Sequence, residues 1–216
     1  MTPEVLIAKL AEPDLEVDLA KVEAEVIAAY RGHLQAQHDR YGCSPDALDG
    51  VLGGPGRFIQ VARSCYAYAV EGELDTQGIG AQDDNWLDFA SFINQARWDE
   101  EFHSASSRAP GLEKLFKLGA VRARLDLATM GDTAERVLPT VLQDEDAQGY
   151  FSLNEVAFLA QIGEKSVRNA TQPNAPDRLL TRKEGSRTVV DASVALKWLL
   201  RRRNFRPTRL VQEVQS

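Results

Sequence analysis

The chain has 216 residues, 44% of them hydrophobic and 26% charged, a composition ordinary for a soluble globular protein with one generous core or two modest ones. Its net charge of −7 hides an asymmetry: residues 1–149 hold 26 acids against 13 bases, and residues 150–216 hold 6 against 12. The C-terminal part can therefore attract a polyanion that the rest would repel.

Met1-Thr2-Pro3-Glu4 lacks the basic start and apolar run of a secretory leader, and no stretch approaches the roughly 18 apolar residues of a membrane span. Leu15, Leu19, Val22, Val26, Tyr30 and Leu34 step by three and four, which predicts an amphipathic helix over 14–40. The stretch 41–45 ends it, and 51–56 (Val-Leu-Gly-Gly-Pro-Gly) reads as a loop. Phe58, Val61, Cys65 and Tyr68 mark a second helix, and 75–84, with Gly78 and Gly80, a further loop. Trp86, Phe89, Ile93 and Ala96 line a third helix; after a break at 104–110, Leu112, Leu115, Leu118, Val121 and Leu125 line a fourth. A short helix follows over 132–142, with Pro139 inside it. Residues 1–142 are thus expected to be an acidic, all-helical domain. The polar, acidic stretch 143–149 coincides with the change of charge sign and reads as a linker.

From 150 to 208 the signals are denser. Ser152-Leu-Asn-Glu155 has the spacing of a capping box, and Val156, Leu159 and Ala160 supply the apolar face of a helix of about two turns. Gln161-Ile-Gly163 is a short turn, and a second helix runs from Glu164 to about Thr171 with Val167 and Ala170 inward. Two short helices joined by three residues have the helix-turn-helix arrangement, whose second helix can enter a major groove. With Val167 buried, Lys165, Ser166, Arg168 and Asn169 fall on or near the open face. Arginine can bond guanine and asparagine adenine through paired contacts. The period then changes: 179–182 and 187–190 read as a hairpin with Gly185 in its turn, and Arg182, Lys183 and Arg187 near its tip suit phosphates. Asp191 caps a last helix with Val194, Ala195, Trp198 and Leu199 on one face, followed by Arg201, Arg202 and Arg203. That triplet fits phosphate contact or a favourable helix C-terminal charge equally well.

The order helix, turn, helix, hairpin, helix resembles the winged helix-turn-helix of the MerR and excisionase families over some 55 residues. Glu155-Val-Ala-Phe-Leu-Ala160 is similar to the families' opening helix, Ser166-Val-Arg168 to their recognition helix, and Asp191 through Trp198-Leu199 to the excisionase closing helix. Gln161 stands where those families carry glycine, and Gly163 where they carry a capping Ser or Thr. The resemblance implies a mainly α fold with a C-terminal winged helix-turn-helix and a short β-hairpin wing, ending in a tail over 209–216. It also implies a bacterial, sequence-specific regulator of transcription that binds double-stranded DNA. The alternative it implies is an excisionase-like accessory protein that shapes DNA in recombination. A homodimer through the helical N-terminal domain is expected, since one short helix reads few base pairs; that domain also has room for a protein partner.

Other motifs carry no chemistry. Glu100-x-x-His103 has one half of a di-iron pattern and no second copy. His33, His38 and Cys43 match no zinc spacing. The glycines at 53–56 lack the Lys-Ser/Thr of a phosphate loop, and Ser44, Ser104 and Ser107 sit in no nucleophile motif. Trp86, Phe89, Phe92 and Trp98 read as core and interface. Cys43 and Cys65, too few for a disulfide framework, read as small buried side chains. A cytoplasmic protein, nucleoid-associated when on DNA, with no enzymatic activity, cofactor or metal, is the expectation.

Overall fold

The computed structural model describes residues 17–75, 79–103, 109–143 and 149–211, which are mainly helical with a small sheet near the C-terminal end. Leu15, the break at 104–108, positions 144–148 of the expected linker and the tail past 211 lie outside the described residues.

Helix α1 (Leu19–Tyr41) begins at Asp18, whose carboxylate accepts a hydrogen bond from Lys21 N at 2.9 Å, and buries Val22, Val26, Ala29, Tyr30 and Leu34. That stripe is the one the spacing predicts. Helix α2 (Pro45–Leu52) is a correction: Ser44 caps it and Pro45 opens it, but it buries no residue, so it carries no apolar period to find. Cys43, just before it, is exposed rather than buried. Helix α3 (Gly56–Tyr66) runs on into a π turn at Ala67–Glu71. Strand β1 (Glu73–Asp75) follows, then α4 (Ile79–His103), which starts inside the stretch read as a loop over 75–84. Helix α5 (Pro110–Met130) is the central element, with Leu112, Leu115, Phe116, Leu118, Val121 and Leu125 all buried. Helix α6 (Asp132–Val137) stops short of the expected 142: Leu138 is extended ahead of Pro139, and only a 3-10 turn, Thr140–Leu142, follows.

The C-terminal part contains β2 (Tyr150–Ser152), α7 (Leu153–Ala160), α8 (Glu164–Ala170), β3 (Arg182–Glu184), β4 (Arg187–Asp191), α9 (Ala192–Leu199) and β5 (Arg209–Val211). Strand β4 lies between the other two of an antiparallel sheet, with Phe151 opposite Val190 on one side and Lys183 opposite Thr188 on the other. Strand β5 pairs in parallel with β1, Leu210 opposite Leu74. The first 142 residues are therefore not all-helical, and Arg209–Val211, expected as the start of a tail, is a strand. Three-residue strands are too short to show a period of two.

One hydrophobic cluster extends from Val17 to Phe205. Helix α5 sits at its middle, touching α1, α3 and α4 as well as α7 and α9. Polar contacts cross the same boundary. Arg122, 1% exposed, donates to the carbonyl of Ala69 at 2.9 Å, the carbonyl of Arg206 at 2.7 Å and the hydroxyl of Thr208 at 3.1 Å. Asp126 accepts from Tyr68 and Thr208, each at 2.8 Å. A buried guanidinium is costly without such acceptors, and residues 206–208 supply two of the three.

Candidate nucleic-acid interface

Ser152 turns β2 into α7. Its hydroxyl accepts from Glu155 N at 3.2 Å, and the Glu155 carboxylate accepts from Ser152 N at 2.7 Å, the reciprocal box that the sequence spells. The same carboxylate ion-pairs with Arg124 of α5, and Lys117 of α5 lies 4.0 Å over the Phe158 ring. Helix α7 is thereby clamped to the long central helix by both polar and apolar contacts.

The turn after α7 is built around Gln161 rather than a glycine. Gln161 has φ 51°, the one non-glycine residue with positive φ among those described. A side chain there costs on the order of 1–2 kcal/mol. The Gln161 amide offsets this by two hydrogen bonds that glycine lacks: its oxygen accepts from Val17 N, and its nitrogen donates to the Asn204 carbonyl, both at 3.2 Å. Gly163 is the N-cap of α8 and offers no side-chain bond.

On α8, Val167 is buried while Lys165, Ser166, Arg168 and Asn169 are exposed. At 100° per residue the four span an arc of about 160° opposite Val167. The structure thus brings the predicted reader residues onto one open face. Arg168 pairs with Glu164 at 2.6 Å one turn earlier. Both are solvated enough that opening the pair costs about 1 kcal/mol or less. Arg168 and Asn169 can then offer paired hydrogen bonds to a planar partner.

After α8 the chain folds back, Leu179 N donating to the Ala170 carbonyl at 2.8 Å, and enters the β3–β4 hairpin. The two-residue turn is Gly185-Ser186, with Gly185 at φ 58° as a type II′ turn requires. The predicted phosphate-binding cations divide into two groups. Lys183 is exposed and donates to the Thr188 hydroxyl at 2.9 Å, while Arg187 and Arg203 are exposed and, among the described residues, hold no ion pair. Arg182 is different: it lies between Asp191, at 2.8 Å, and Glu184, and hydrogen bonds to both carboxylates raise its pKa. Arg201 and Arg202 share Asp177, and Arg202 also stacks 3.8 Å over the Trp198 ring. Arg182 is matched by two carboxylates of its own, so its charge is largely spent within the fold, whereas Arg201 and Arg202 share the single charge of Asp177 and leave one positive charge over. Arg178 and Lys197, which sequence reasoning passed over, are exposed cations of the same region.

The side chains weighed as zinc ligands do not converge: His33 Nδ1 lies 2.9 Å from Asp99, and His38 Nδ1 lies 2.9 Å from the Cys43 carbonyl. Among the described residues there is no group of three or more His, Cys, Asp or Glu placed to hold a metal, and no helix long and apolar enough to cross a membrane. No family model matches the chain, and no curated protein or solved structure matches it either.

Proposed function

We propose that the chain is a sequence-specific regulator of transcription that binds double-stranded DNA through residues 150–208, arranged as a winged helix-turn-helix. In this reading α7 and α8 form the helix-turn-helix, α8 enters the major groove, and the β3–β4 hairpin is the wing. The observation that carries it is the open face of α8, where Lys165, Ser166, Arg168 and Asn169 stand together opposite buried Val167. Arg168 and Asn169 read base edges, and Lys183, Arg187 and Arg203 hold phosphates. The excess of 12 bases over 6 acids in 150–216 supports the same partner.

Two copies bind together, because one short recognition helix reads only a few base pairs. Self-association falls to the helical N-terminal part, where Trp98 and Phe102 of α4 are 51% and 57% exposed with ring centroids 4.3 Å apart. The test is selection from a randomised duplex library with the full chain, followed by fluorescence anisotropy on the enriched duplex and a scrambled one. Arg168→Ala should cost about 1–3 kcal/mol on the enriched duplex and little on the scrambled one. Failure to enrich any sequence, or equal loss on both duplexes, refutes α8 as the reader.

A further inference from the structure

Far from the C-terminal helices in sequence, α1, α3 and α4, with the end of α2, border an open cavity of about 390 Å³, within the range of small-molecule sites. Its floor is aromatic. Phe58 and Phe92 stack with centroids 4.5 Å apart, and Tyr30 lies 6.4 Å from Phe58. One wall holds His33, and its Nδ1 is fixed by Asp99, a carboxylate that is 1% exposed and also accepts from Gln95 at 2.9 Å. A carboxylate accepts, so Nδ1 carries the hydrogen of that bond; a ring with its hydrogen on Nδ1 offers Nε2 as an acceptor, and among the described residues no protein group bonds Nε2. A buried carboxylate bonded by two neighbours is more than packing requires for a histidine on a cavity wall. It holds the ring in one tautomer and one orientation.

Charge narrows the ligand. Arg57 and Asp88, both at the mouth and paired, carry opposite charges, so the lining has no net positive charge to favour a carboxylate or phosphate. The rim is completed by Leu52, 50% exposed, the last residue of α2, before the turn at Gly53 and Gly54, both at φ 78°. An exposed leucine beside an aromatic floor gains burial when a flat molecule fills the space between them.

We propose that this cavity binds a flat, uncharged aromatic molecule carrying one hydrogen-bond donor, of the indole or phenol type, with the donor on His33 Nε2 and the ring against Phe58 and Phe92. The proposal is independent of what residues 150–208 recognise.

Indole and benzofuran test it, because they share a shape and differ by the N–H. Titrated into the full chain and followed by ¹H–¹³C NMR, indole should shift the His33 ring signal and the Phe58 and Phe92 signals saturably. Benzofuran should bind the same site roughly three- to tenfold more weakly, the worth of one hydrogen bond. His33→Leu should bring the two affinities together while leaving benzofuran bound, which also reports that the pocket is still formed. Ser91→Trp, a change at an exposed position on the rim, should block both compounds without touching the core. Non-saturating shifts, shifts centred away from the cavity, an indole preference that survives His33→Leu, or full binding to Ser91→Trp would each overturn the assignment.

Discussion

Gly119 lies on the buried face of α5 directly against Trp86 of α4. A Cβ built there would sit 2.2, 2.8 and 2.9 Å from Cη2, Cζ3 and Cζ2 of the indole. Carbon atoms in contact prefer about 3.5–4.0 Å, so Gly119→Ala demands a relative shift of more than about 1 Å. Trp86 cannot supply it cheaply: it is 1% exposed and held edge-to-face by Tyr68, Phe89 and Phe116. Overpacking of this kind costs about 1–3 kcal/mol or somewhat more, against which alanine gains up to about 1 kcal/mol in helix propensity. The expected net loss is about 1–2 kcal/mol, read as a lower urea midpoint at unchanged m-value. All three contacts fall on the six-membered ring of the indole, whose outer atoms Trp86→Phe removes. In that background the clash is gone, and Gly119→Ala should become neutral or stabilise by up to about 1 kcal/mol. A change of sign between the two backgrounds is the signature. If Gly119→Ala is destabilising to the same extent in both, the close approach of α4 and α5 is not what makes glycine necessary.

Cleavage at a protease site placed within 144–148 should leave the two pieces associated on gel filtration, because α5 packs against both sides and Arg122 bonds to residues 206 and 208; separate elution refutes the shared core. Burial raises the Asp126 pKa above 3.8, outweighing hydrogen bonds from Thr208 and Tyr68 and the charge of Arg122. The folded state therefore holds that proton more tightly than the unfolded chain, giving stability that is full below about pH 4 and lost as pH rises through the folded pKa. Relative to wild type, Asp126→Asn should gain stability as pH rises from 4 to 7 in guanidinium unfolding; parallel profiles would exclude a shifted carboxylate. On DNA, Arg187→Ala should weaken cognate and scrambled duplexes alike and make the log–log salt slope about 0.9 shallower, whereas an unchanged slope removes the wing from the phosphates. Light scattering on the full chain at about ten to fifty micromolar should give twice the 23.9 kDa chain mass, and a strict monomer refutes the dimer.

The stretches legible in the sequence share one property: their pattern is local and long. The α1 stripe from Val22 to Leu34 and the α5 stripe from Leu112 to Leu125 repeat over several turns, so a period of 3.6 stands out. The Ser152–Glu155 capping box and the Gly185 turn are legible for a related reason, since each is a stereochemical demand met within four residues. Helix α2 escaped because it buries nothing, and β1, β2 and β5 because three residues establish no alternation.

The candidate interface was half legible for the same reason. Burial of Val167 follows from the apolar spacing, and the exposure of its neighbours follows from helix geometry. Which cations remain available does not follow. Arg182, Lys183 and Arg187 look equivalent as a string, yet Arg182 is taken by Asp191 across the sheet, a partner set by strand register.

The sequence by itself determined the helices carrying the Val22–Leu34 and Leu112–Leu125 stripes, the change of charge at about residue 149, and the order helix, turn, helix, hairpin, helix from 153 to 199. These rest on periodicity, capping and composition, which act between near neighbours. Only the tertiary structure decided that Gln161 belongs in its turn, that Arg122 and Asp126 bind the chain beyond α9 to the central helix, and that His33 meets Asp99 on a cavity wall. Those residues lie between 43 and 144 positions from their partners. A buried polar group must find partners wherever the fold brings them, and no local pattern records where that is.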